Sequence, residues 1–237
     1  MKTLINLYLV LFTAPVFAQE TMEVMSKFDK EHMEVFRVLK RDVKTREGLY
    51  QMRYKKKTAV ASGVYRNDKR TGVWHFYDSK GKILQNFDYD KNQVTFEAPE
   101  AVSPIMHFNY RIDEKFTEKD SVIRPIKIGG RYYGYLPILK LFKRPADIGM
   151  DGSLQIPAIV ELLISPGGNL ADYVIHIDGL DLNVNLNLLT ADEKRFVPAT
   201  KNGQPIQSTI IIPCKMTMGG KLISLSDMQK WEVTETN

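Results

Sequence analysis

The chain has 237 residues, of which 43% are hydrophobic and 26% charged, with a formal net charge of +5 and one cysteine. That length holds one large or two small domains. The densest basic run, Lys55-Lys56-Lys57, is too short for a nucleic-acid tail, and the lone Cys214 rules out an intramolecular disulfide.

Residues 1–18 read as a secretory leader. Lys2 supplies a basic start, Leu4 to Phe12 an apolar run, and Val16-Phe17-Ala18 a small-x-small cleavage site before Gln19. The run falls short of the ~20 residues that span a bilayer; the alternative is an uncleaved anchor. The expectation is a periplasmic protein with no transmembrane span in the mature chain, relying on its core rather than on disulfides.

Between Thr21 and Val43, apolar residues at Phe28, Val35, Phe36, Leu39 and Val43 suit an amphipathic helix, while Met33 to Val38 also reads as a strand. A helical or irregular start to about His32 with a strand after it is expected. From Gly48 to Val94 alternation takes over, giving strands at Gly48–Tyr54, Ala59–Tyr65, Gly72–Tyr77 and Ile83–Tyr89, joined by turn formers such as Asn67-Asp68 and Asp78-Ser79-Lys80-Gly81. Gly72 and Gly81 stand where a hairpin calls for positive φ. The aromatics Tyr65, Trp74, Phe76, Tyr77, Phe87 and Tyr89 read as the packing face of this sheet; the alternative is a platform for a sugar or lipid. The spacing Tyr65-x-Asn67-x-Lys69-x-x-Gly72-x-Trp74-x-x-Tyr77-Asp78-x-x-Gly81-Lys82 resembles the MORN-like repeat of bacterial envelope proteins. It implies an N-terminal antiparallel β-meander of stacked hairpins over residues 19–98.

Residues 99–130 read as a linker that becomes extended and stops at Gly129-Gly130. Tyr132, Tyr135, Leu136, Leu139 and Phe142 then recur at helical spacing, and Pro145 ends the pattern. Past Leu154 come an apolar strand to Ile164, the turn Ser165 to Asn169, a strand from Leu170 to Ile177, and a β-branched strand from Ile206. Between them, Leu180, Leu182, Val184, Leu186 and Leu188 alternate with Asp and Asn, which argues for a strand, while Leu182, Leu186 and Leu189 also fit a helix.

Ile159 through Asn169, Phe196-x-Pro198-Ala199-x-x-Asn202-Gly203-x-Pro205-Ile206, and Ile210-x-Ile212-Pro213 resemble the C-terminal domain of TonB-type proteins, over roughly a third of the chain. Ile156-Pro157 stands where that family usually has Gly, and its aromatic-Pro pair is matched loosely by Phe142 and Pro145. The resemblance implies an α+β fold for residues 131–220, with a three-stranded antiparallel sheet and two helices, one of them over 180–196. Residues 221–237 are left as a tail. It also implies a protein partner, an extended segment of an outer-membrane transporter or other envelope protein, added as a strand to a sheet edge. The candidate edge is Ile206 to Met218, with Ile206, Ser208, Ile210, Ile212 and Lys215 as contact residues. Gly72, Trp74, Tyr77, Gly81, Pro198, Asn202 and Gly203 are motif residues with structural roles.

No pattern points to catalysis, a cofactor or a metal. The four histidines, 32, 75, 107 and 176, have no ligand spacing, no Gly-x-Ser-x-Gly elbow occurs, and no glycine-rich phosphate loop opens a helix. Asp181-x-Asn183-x-Asn185 has the start of a calcium loop, but Leu186 sits where such a loop needs Gly. A non-enzymatic adaptor is therefore the expectation. The alternative is a secreted enzyme, or a glycan- or lipid-binding protein using the aromatic sheet.

Overall fold

The computed structural model describes residues 20–99, 108–142, 155–177 and 179–217. The expected leader, residues 1–18, and the expected tail, residues 221–237, lie outside them. The N-terminal half is one seven-stranded antiparallel meander in sequence order. Its strands are β1 (Thr21–Lys27), β2 (His32–Leu39), β3 (Asp42–Tyr54), β4 (Thr58–Arg66), β5 (Lys69–Tyr77), β6 (Ile83–Asp88) and β7 (Gln93–Glu97). Asn67 and Asp68 join β4 to β5 with φ of 47° and 63°, the two positive angles a two-residue hairpin of matching twist requires. The helical or irregular start expected before His32 is instead β1. The apolar residues that suggested a helix belong to different elements: Phe28 to a turn, Val35, Phe36 and Leu39 to β2, and Val43 to β3.

The second half begins with β8 (Asn109–Arg111), β9 (Val122–Ile123), β10 (Ile126–Lys127) and the five-residue helix α1 (Leu136–Lys140). It continues through β11 (Gln155–Ile164), β12 (Leu170–Ile177), β13 (Leu180–Asn183), β14 (Phe196–Val197), β15 (Ala199–Lys201), β16 (Gln204–Ile206) and β17 (Ser208–Thr217). A five-stranded sheet runs β13-β12-β11-β17-β8, with small sheets β16-β15-β9 and β10-β14 beside it.

The expected α+β class with two helices is overturned: the described residues are mostly β, 59% strand against 6% helix. Over 131–142 only a 3-10 turn at Tyr133–Tyr135 and α1 form. The apolar residues there do not make one stripe. Tyr132, Tyr133 and Leu136 pack on the meander, whereas Tyr135, Ile138 and Phe142 pack on the five-stranded sheet. The helix expected over 180–196 is β13 followed by a 3-10 turn at Leu186–Leu188. Gly179, at φ 76°, reverses the chain after β12 so that Leu180 to Asn183 pair with Val174 to Ile177. The period-two pattern wins there because a neighbouring strand exists to receive it.

Two cores result. Tyr50, Trp74, Phe76 and Phe87 of the meander are covered by Ile128, Tyr132, Tyr133 and Leu136. Val160, Leu162, Tyr173, Ile175, Ile210, Ile212 and Met216 form the other. Trp74, Phe76 and Phe87 have no exposed surface and serve as the packing face, while Tyr77 and Tyr89 are half-buried.

Candidate functional site

The strand expected as a free margin has neighbours on both sides over part of its length. β17 pairs along all ten of its residues with β11, and β8 pairs with Thr209, Ile210 and Ile211 on its other side. Ile206, Ser208, Ile210 and Ile212 are buried, and Lys215 is exposed. Met218 lies outside the described residues. Asn202 and Gly203, at φ 51° and 80°, make the two-residue turn between β15 and β16. The Asn202 side chain accepts from the Ser121 amide (2.8 Å) and donates to Asp120 (2.7 Å), fastening β9. Pro198 packs near Gly168, where an added Cβ would stand 3.2 Å from the proline ring and 2.4 Å from the Phe196 carbonyl. Gly72 and Gly81 have φ of 62° and 85°, Trp74 is in the core, and Tyr77 is half-buried.

A longer edge lies at the opposite end of the chain. β1 pairs with β2 through seven unbroken residue pairs, and among the described residues nothing pairs with its outer side. The Lys40 amide donates to the Glu20 carbonyl and the Phe28 amide to the His32 carbonyl. Even-numbered residues thus bond inward. By the alternation of antiparallel ladders, the backbone groups of Thr21, Glu23, Met25 and Lys27 point outward. Arg37 already reaches the Thr21 carbonyl, at 3.4 Å. Met22 and Met25 are 42% and 62% exposed. β1 carries no proline or bulge, and its edge charges are Glu23 and Lys27.

Between the meander and the turns after β13 lies a cleft of about 420 Å³. Arg70 stands on the inward parity of β5, with Trp74 and Phe76. Its guanidinium lies 4.8 Å from the centre of the Trp74 ring and donates to the hydroxyls of Tyr65 (3.2 Å), Tyr89 (2.7 Å) and Tyr133 (3.2 Å). The nearest carboxylate, Asp192, is 3.8 Å away. Burial opposes the Arg70 charge, but the phenol oxygens of Tyr133, Tyr89 and Tyr65 outweigh it and hold the pKa above the ordinary value. Arg46 shares the Tyr65 hydroxyl (3.4 Å) and faces Glu34 (3.5 Å). Lys127, buried in β10, donates to the carbonyls of Glu193 (3.0 Å) and Arg195 (2.8 Å). Burial, and then the neighbouring Arg70, push its pKa down to about 7.

A third cluster has the residue types of a proton relay. Asp29 faces His32 Nδ1 at 2.9 Å, and His32 Nε2 meets the Tyr132 hydroxyl at 2.8 Å. Burial pushes the Asp29 carboxyl up, but the Glu31 amide and the facing His32 outweigh it and hold it below the usual range. His32 and Tyr132 are only 4% and 1% exposed and lie outside the cleft lining, so the cluster clamps the 128–136 segment to the meander.

Arg70 and Lys127 were not singled out by sequence reasoning. The available signal was position: each is a cation on a strand's inward parity, Arg70 in step with Trp74, and Lys127 between Ile126 and Ile128. Among the described residues no group of acids, histidines and cysteines is placed to hold a metal, and no helix is long and apolar enough to cross a membrane. No family model, curated protein or solved structure matches the chain.

Proposed function

We propose that this protein is a non-enzymatic, periplasmic protein-binding module that takes up an extended segment of an envelope partner by strand addition. The observation that carries this reading is the outer side of β1, where the backbone groups of Glu23, Met25 and Lys27 point away from the sheet along a strand with no proline or bulge. Backbone hydrogen bonds supply affinity in such a mode, and alternate side chains supply selectivity. The occupant that suits β1 is a segment placing an apolar residue beside Met25 and a basic one beside Glu23. The leader-like segment at residues 1–18 supports an exported location.

The test uses the full mature chain carrying a photo-crosslinking residue at position 25, with position 49 as control. Leu49 is 66% exposed on an inner strand. A partner from envelope extract should crosslink through position 25 and not through 49. Met25→Pro removes an outward amide without touching the β2 ladder, a change tolerated on sheet edges. It should abolish capture at an unchanged melting temperature. Equal capture by Met25→Pro would sink the reading.

A further inference from the structure

We propose that the cleft beside Arg70 is a binding site for a small organic acid: one carboxylate carried on a flat apolar body. This goes beyond strand addition and uses none of the β1 edge.

The cleft volume of about 420 Å³ is that of a small-molecule site. Its cationic group is fixed in advance. The Trp74 ring and three tyrosine hydroxyls hold the Arg70 guanidinium, and all of these are neutral. A charge removed from water calls for a counter-charge. Among the described residues the carboxylate that faces it is Asp192, in a loose ion pair at 3.8 Å. Glu34 is taken by Arg46 and by the Tyr50 hydroxyl (3.0 Å). Asp192 stands beyond hydrogen-bond distance with its side chain 42% exposed. A planar guanidinium matches the two oxygens of a carboxylate, and a group already held in place loses little entropy on binding.

The remaining lining decides what the acid carries. Met52, Ile128 and Leu136 give the cleft apolar walls. Glu34, Asp68, Asp192 and Glu193 stand against the three cations Arg46, Arg70 and Lys127. With four carboxylates against three cations, that balance disfavours a doubly charged phosphate, and an acid must be held by local contact with Arg70.

Trp74 reports on the site, because Arg70 lies against its ring. The chain has two tryptophans, so Trp231→Phe makes Trp74 the sole emitter. Titration of this protein with benzoate should give a saturable change in emission. Benzamide, the same shape without the charge, and inorganic phosphate should bind about tenfold more weakly or worse, and Arg70→Gln should weaken benzoate by about tenfold or more. Should Arg70→Gln fail to fold, the unmodified site still gives a second reading. Lys127 faces Arg70, Asp192, Glu193, Arg195 and the Phe196 ring. A bound carboxylate favours its protonated form, so benzoate should bind more tightly at pH about 6 than at about 8.5, with proton uptake near neutrality. The proposal is overturned by benzamide or phosphate binding as well as benzoate, by a folded Arg70→Gln that binds benzoate unchanged, by affinity independent of pH over that range, or by no saturable response.

Discussion

The Trp74 indole occupies the space a side chain on Gly63 would need: a Cβ built there would stand 2.2 Å from Trp74 Cδ2. The two residues lie on adjacent strands of the meander, and Trp74 is boxed in by Tyr50 and Tyr65 with ring centres 5.2 Å away on both. The indole has nowhere to retreat. Gly63→Ala should cost about 1–3 kcal/mol through overpacking. A lowered urea midpoint with red-shifted Trp74 emission is expected, and an unchanged midpoint would show that the ring can yield.

Gln85 is buried and fully bonded. Its Nε2 donates to Glu97 (2.7 Å) and to the Lys127 carbonyl (3.0 Å), while its Oε1 accepts from the amides of Gly129 (2.8 Å) and Gly130 (3.1 Å). Gln85→Leu strips partners from a buried turn at about 1–3 kcal/mol for each group left unsatisfied. The exposed Gln93→Leu, on the neighbouring β7, should stay within about 0.5 kcal/mol. Equal melting temperatures for the two variants would refute the clamp.

Lys127 gives stability a pH dependence of definite sign. In the unfolded chain it titrates near 10.5, and in the folded one near 7. Between those values the unfolded state holds more protons, so this residue makes folding more favourable as pH rises through that window, by at most ~1.4 kcal/mol per pH unit. Lys127→Met should have a flatter or falling stability profile between pH about 7 and 9 than the parent. Parallel profiles, measured by chemical unfolding, would contradict the assignment.

His176 behaves in the opposite sense. It lies on the outer face of the five-stranded sheet, bonded to Asp181 at 2.7 Å and 3.4 Å from Glu161. The Asp181 hydrogen bond is the main reason its pKa is raised. Its contribution is therefore fully present below about 6.5 and disappears as pH climbs through the folded value. The side chain is 34% exposed, so solvent screening limits the effect to ~0.5 kcal/mol. An NMR titration of the imidazole should move downward in Asp181→Asn; no movement would assign the shift to another neighbour.

Alternation made much of the meander readable, because each hairpin there is closed by its own turn and pairs with the next stretch of chain. The strands at Gly48–Tyr54 and Ile83–Tyr89 lie within or beside β3 and β6 for that reason. Residues 131–142 were misread as one helix because their apolar positions serve two different cores, a division that helical spacing cannot express. β1 was missed because its partner, not its own pattern, makes it a strand. The neighbour that β8 provides for β17 comes from about a hundred residues upstream, and nothing near Ile210 announces it. Arg70 was passed over because a lone arginine beside a hairpin turn ordinarily points to water; only its step with Trp74 marks it otherwise.

Tyr132 and Tyr135 sit three positions apart and belong to opposite cores. A gene cut between codons 130 and 131 would strip the meander of its lid, and one cut after codon 142 would take the other sheet's cover away with the upstream fragment. Either cut leaves one product with an incomplete interior, so that piece should be insoluble alone and recovered when its complement is co-expressed.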